Sequence, residues 1–158
     1  MESLPPINLV LMVHLVVLSL WGGVVAVEAV IELYPYRRRE FQTHAIEYHY
    51  WIDSLVELPL IVAVVVSGTV LAALAWPLDG LHLLKIGCAS VAVIANLVCI
   101  GLVIARRRLM KSGASADELW RKTRGVVLCA VVGMPAAAVA VGLGFWLGYH
   151  RMVELIVH

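Results

Sequence analysis

The stretch from Asn8 to Glu32, NLVLMVHLVVLSLWGGVVAVEAVIE, decides the fold. It is longer than the roughly 20 apolar residues that a bilayer core demands of a helix. It also carries His14, Glu28 and Glu32. A helix turns about 100° per residue, so these three side chains lie within roughly 40° of one direction. An ionised group at the bilayer centre costs about 2.5–3.5 kcal/mol on insertion scales. A spanning helix with such a stripe turns it toward other protein.

Three further runs have the same character, which places the spans at about 8–32, 52–76, 83–105 and 126–148. The chain has 158 residues, 62% of them hydrophobic, with a mean hydropathy of +0.93. Soluble domains hold about half apolar residues, and too little chain remains outside the spans to build one. The expected fold is all-α, an integral membrane four-helix bundle forming a single transmembrane domain in contact with membrane lipid. No nucleic-acid partner is expected.

The net charge of +1 hides an asymmetry. Arg37, Arg38 and Arg39 separate spans one and two, and Arg106, Arg107, Arg108, Lys111, Arg121, Lys122 and Arg124 separate spans three and four. Only Lys85 and Arg151 lie elsewhere. The positive-inside rule makes both basic loops cytoplasmic and both termini external, or periplasmic. The opening MESLPPIN has no basic n-region and no small-residue cleavage site, so span one reads as retained. The lack of a targeting segment points to a bacterial inner membrane. Cys88, Cys99 and Cys129 all fall within spans, which argues against a disulfide framework.

The turn PLDG after Trp76 makes spans two and three antiparallel neighbours. Ser115 stands three residues before Glu118, a capping-box spacing that predicts a short interfacial helix over about 116–125. Ala136, Ala140, Gly144 and Gly148 form a small-residue face on span four, suited to a second copy or a larger membrane complex.

Span two opens with His49, Asp53 and Glu57, again on one helical face. Antiparallel packing brings them to the depth of Glu28 and Glu32. A set of carboxylates with an imidazole suits a hard ion such as iron, manganese or zinc. The same five residues would also serve as a rim paired to Arg37–Arg39, or as a proton relay. At the other end His14 shares its depth with Lys85, near His82 and His150. Imidazole in a helical bundle is a common axial ligand of haem, and a nearby cation can hold a propionate. The alternative is a histidine bonded to its neighbour helix, with Lys85 reaching for the interface. Along span three Lys85, Cys88, Asn96 and Cys99 share a face, with Asn96 read as an interhelical hydrogen bond.

His14 to Gly23 reads H-L-V-V-L-S-L-W-G-G, Leu81 to Gly87 reads L-H-L-L-K-I-G, and Ser67 to Leu71 reads S-G-T-V-L. This pattern resembles the four-helix membrane proteins grouped around copper-resistance protein D and the HemJ-type protoporphyrinogen oxidase. The resemblance implies functional roles for His14 and Lys85, with haem b or copper as the group handled. The Leu-Pro-Arg motif that follows in HemJ-type enzymes is absent. Glu28, Glu32 and the stretch from His49 to Glu57 stand here instead, which implies a cousin with its own site.

The leading expectation is a membrane metalloprotein, holding haem b or a transition ion (Fe, Mn, Zn or Cu), with an electron-transfer or redox role and quinol or porphyrin as partner. A copper or proton transport element is the second reading. A small structural subunit of a larger membrane complex is the third.

Overall fold

A computed structural model of the protein describes residues 6–157. It is all-helical. Helix α1 covers Pro6–Arg37, and a short 3-10 turn at Arg39–Phe41 leads into α2, Gln42–Ile52. A π-helical turn at Asp53–Glu57 joins α2 to α3, Leu58–Leu74, as one rod from Gln42 to Leu74. Helices α4, Gly80–Lys111, and α5, Ala116–Val157, complete the chain.

Four rods are long and apolar enough to cross a membrane. At 1.5 Å per residue each exceeds the roughly 30 Å hydrocarbon thickness. Helix satisfies every backbone polar group within the segment, which hydrocarbon requires. The apolar side chains mostly face outward: Leu9, Val16, Leu55, Val62, Val66, Ile94, Leu128 and Val131 are all exposed. Inverted in this way, the surface is that of a lipid-facing bundle.

Helix α1 packs on α3 and α4 on α5, and the two hairpins meet where α2 lies against α4. Trp21, Ile61, Val64, Ala92 and Ile100 form the central core, with Ala136 and Ala137 of α5 packed against it. Cys99, Val103 and Val126 make a second cluster, which Tyr50, Leu102 and Cys129 join. At Gly133 a Cβ would stand 3.2 Å from the Cβ of Ala95, tighter than an ordinary contact, so the missing side chain helps α4 and α5 approach closely there.

Two sequence expectations change in detail. The segment 116–125 is not a separate interfacial helix but the first turns of α5. Nothing between Trp120 and Val126 breaks a helix. The capping box does form: Glu118 Oε2 accepts from the Ser115 amide at 3.0 Å, and Ser115 Oγ accepts from the Glu118 amide at 3.3 Å. The small-residue face is largely used within the chain, since Ala136 joins the core, Ala140 is buried and Gly144 meets Lys85. Helix α2 leads from Gln42 into span two without a break, because Gln42 to Trp51 holds no helix breaker.

Candidate metal centre

The two acids of α1 and the three polar residues of the second rod converge between the hairpins. Glu28, Glu32, His49, Asp53 and Glu57 are all buried, with Asp53 and Glu57 at 0% and 1% exposure. The π turn contributes to this placement. Pro59 has no N–H and its ring crowds the carbonyl four residues back, so the preceding turn widens, and the Leu58 amide bonds to the Asp53 carbonyl. Asp53 and Glu57, at the two ends of that turn, both face inward. Proline at this position was the sequence signal for the irregularity.

His49 is the hub. Its Nδ1–H donates to Glu32 Oε1 at 2.5 Å, and its Nε2 lies 3.2 Å from Asp53 Oδ1 and 3.9 Å from Glu28 Oε2. One ligand atom each from Glu28, His49 and Asp53 lie within 4.8 Å of one another. Ligands about 2.1 Å from a tetrahedral ion stand about 3.4 Å apart, so the observed separations bracket those of a bound ion. Glu28 Oε1 and both carboxylate oxygens of Asp53 are buried without a hydrogen-bond partner. Buried acceptors left in this state are costly unless a cation or proton meets them.

Arg106 holds the other side of the site. Its Nη1 donates to Glu32 Oε2 at 2.8 Å and to Thr123 Oγ1 at 3.0 Å, and its Nη2 donates to Glu32 Oε1. The expected partners were Arg37–Arg39. Arg38 instead pairs with Glu40 at 3.5 Å on the exposed rim, and the side chains of Arg37 and Arg39 lie outside those described. Arg106 was legible in register: Asn96, Cys99, Val103 and Arg106 recur at spacings of three and four along one face of α4.

Glu57 lies deeper. Its Oε1 accepts from Trp21 Nε1 at 3.1 Å and from Asn96 Nδ2 at 2.5 Å, which places the interhelical bond expected of Asn96. Cys99 comes within hydrogen-bonding reach of His49. The cluster thus sets four carboxyl groups against one guanidinium and one imidazole.

The residues at the other end form a smaller group. His14 Nδ1 lies 2.8 Å from Ser67 Oγ. Ser67 directs its only hydroxyl proton at the carbonyls of Ala63 and Val64, at 2.6 and 3.2 Å. The histidine is therefore the donor, and Nε2 keeps its lone pair in the neutral ring. Lys85 is near enough to His14 to interact electrostatically, and it rests against Gly144. His82 is bound to Asp79 at 2.8 Å on the surface, apart from His14, and the His150 side chain lies outside those described. Comparison of the chain with protein-family models, curated proteins and solved structures gives no match.

Proposed function

We propose that this chain is a membrane metalloprotein that holds one first-row transition ion between Glu28, His49 and Asp53 and uses it in redox chemistry. The observation that carries this is the set of buried oxygens on Glu28 and Asp53 that make no hydrogen bond, gathered around Nε2 of a histidine whose other nitrogen is fixed by Glu32 and Arg106. A carboxylate behind a ligating imidazole is how protein metal sites set the tautomer and raise ligand basicity. Oxygen and imidazole donors favour iron, manganese or zinc over copper(I), and redox work selects iron or manganese. A divalent ion also offsets the excess of buried carboxylates. Three protein ligands leave coordination positions open for a reactant. Enclosed between spans, the site suits a membrane-soluble quinol as electron partner. The basic loops orient that end of the bundle toward the cytoplasm of a bacterial inner membrane.

The test is metal analysis of protein purified in mild detergent from cells replete in iron, manganese and zinc. About one ion per chain is expected, lost in Asp53→Asn and His49→Ala and retained in Glu57→Gln. Metal-free protein that also takes up none of the three ions when they are added would overturn the reading.

A second reading concerns the opposite end. His14 presents a free Nε2, and no ion pair among the described residues involves Lys85. These residues fit an axial ligand and a propionate partner for haem b, the group implied by the resemblance to the HemJ-type proteins. Purified protein should then show a Soret band that His14→Ala removes. A colourless protein from haem-replete cells would exclude haem.

A further inference from the structure

Three consecutive arginines end the apolar part of α4, and they have different fates. Arg106 turns into the bundle onto Glu32, and Arg107 donates to Glu47 at 2.9 Å while covering the ring of Tyr50. Arg108 does neither. It lines an open groove between α4 and α5 together with Arg121 and Lys122. No ion pair among the described residues involves any of these three cations. The one acid in the groove, Glu118, is engaged by the Ser115 amide and hydroxyl at 3.0 and 3.2 Å. Three cations against this one carboxylate leave the rim of the groove net positive.

Its floor is apolar and runs deeper. Gly101, Ile104 and Ala105 line it on α4, below Arg108. The rise of a helix puts Gly101 roughly 10 Å farther into the membrane than Arg108. A Cβ built at Gly101 would meet nothing within 4 Å, so the floor is open at that depth. A soluble anion can use the rim but has no use for the floor. One molecule matches both, with negative charge at the headgroup level and a chain that continues into hydrocarbon.

We infer that this groove is a binding site for an anionic phospholipid, with its phosphate among Arg108, Arg121 and Lys122 and an acyl chain along Gly101, Ile104 and Ala105. Basic pockets between spanning helices hold anionic headgroups in this way. The site lies on the outer side of the α4–α5 hairpin and is independent of the metal reading.

The experiment is native mass spectrometry of the full chain in mild detergent, titrated with phosphatidylglycerol or with phosphatidylcholine of the same acyl chains. Phosphatidylglycerol should be retained in preference. Each neutralised cation should weaken it about fivefold, and the triple variant R108Q/R121Q/K122Q about a hundredfold. Arg38→Gln, at the same end but outside the groove, should change nothing. Gly101→Leu adds bulk on the floor, where a Cβ meets nothing within 4 Å, and should weaken binding with all three cations in place. Equal retention of the two lipids overturns the proposal, as does an Arg38→Gln loss equal to that of Arg108→Gln. Displacement of the lipid by millimolar inorganic phosphate, with Gly101→Leu unaffected, would make the groove a soluble-anion site and overturn it equally.

Discussion

His49 Nδ1 lies 2.5 Å from Glu32 Oε1, and Arg106 grips the same carboxylate through both of its terminal nitrogens. The imidazole is thus held from behind by a residue that is itself held. Its rotation is fixed, and Nε2 is aimed at Glu28 and Asp53. Glu32 belongs to the four acids and one imidazole read from sequence as one ligand set, but the geometry gives it a different part. It orients the candidate ligand His49 and stands outside the group that Glu28, His49 and Asp53 form.

That division predicts graded losses. Glu32→Gln keeps a carbonyl that can accept from Nδ1–H but removes the charge, and changes of this kind cost about 10–100-fold in metal affinity. Asp53→Asn removes a ligand charge directly and should cost more. Competition against a chelator of known affinity measures both. Equal losses would mean that Glu32 is itself a ligand.

The Arg106–Glu32 pair should show asymmetric energetics. Breaking a buried ion pair from one side costs about 3–5 kcal/mol. Arg106→Gln leaves four carboxyl groups with no fixed cation among them, whereas Glu32→Gln leaves the guanidinium near three. Metal-free Arg106→Gln should therefore be the less stable, and adding Glu32→Gln to it should restore part of the loss. Unfolding in mixed micelles gives the three numbers. Additive losses would show that the two residues do not act as a pair.

Much of this was legible because helix geometry maps sequence onto faces. His14, Glu28 and Glu32 share a direction at 100° per residue, and hydropathy alone delimits four spans. Rotation about the helix axis was harder to read. Arg106, Arg107 and Arg108 look alike taken alone, and it is the register of Arg106 with Asn96, Cys99 and Val103 along α4, a face that packs against Val126, that turns Arg106 inward. Helix ends were obscured for a related reason. A membrane boundary is a change of solvent and not a break in the helix, so α5 runs through it without interruption.

The cap of α4 offers a test of pH dependence at a group outside the spans. Asp79 accepts from the His82 amide and from His82 Nδ1, each at 2.8 Å, and these bonds hold its carboxyl below the ordinary aspartate range. A depressed folded value means that the stabilisation is full above the unfolded value, near 3.9, and is lost as pH falls through the folded one. Asp79→Ala should lower the melting temperature at pH 7, and the gap from wild type should narrow progressively below about pH 4. Asp79→Asn, itself a good cap, should lose less at pH 7. A gap that does not vary with pH would place the effect outside the carboxylate.

The placement of the cations predicts the orientation of the bundle, and two single cysteines test it. With Cys88, Cys99 and Cys129 replaced by alanine, a cysteine at Ala114 reports on the α4–α5 loop and one at Leu78 on the α3–α4 turn. Ala114 is the better position in its loop because the adjacent Gly113 has φ of 79°, which a side chain would strain. The loops on either side of α4 must face opposite compartments if that helix crosses the membrane. With the basic end inside, a membrane-impermeant maleimide should label Leu78→Cys in intact cells and reach Ala114→Cys only after permeabilisation. The reverse pattern would put the basic loops outside, and the candidate metal centre, which lies toward that end, would then be on the external side. Labelling of both from outside would mean that α4 does not span, which the depth of Asn96 and Glu57 within the bundle makes the most damaging outcome for the whole arrangement.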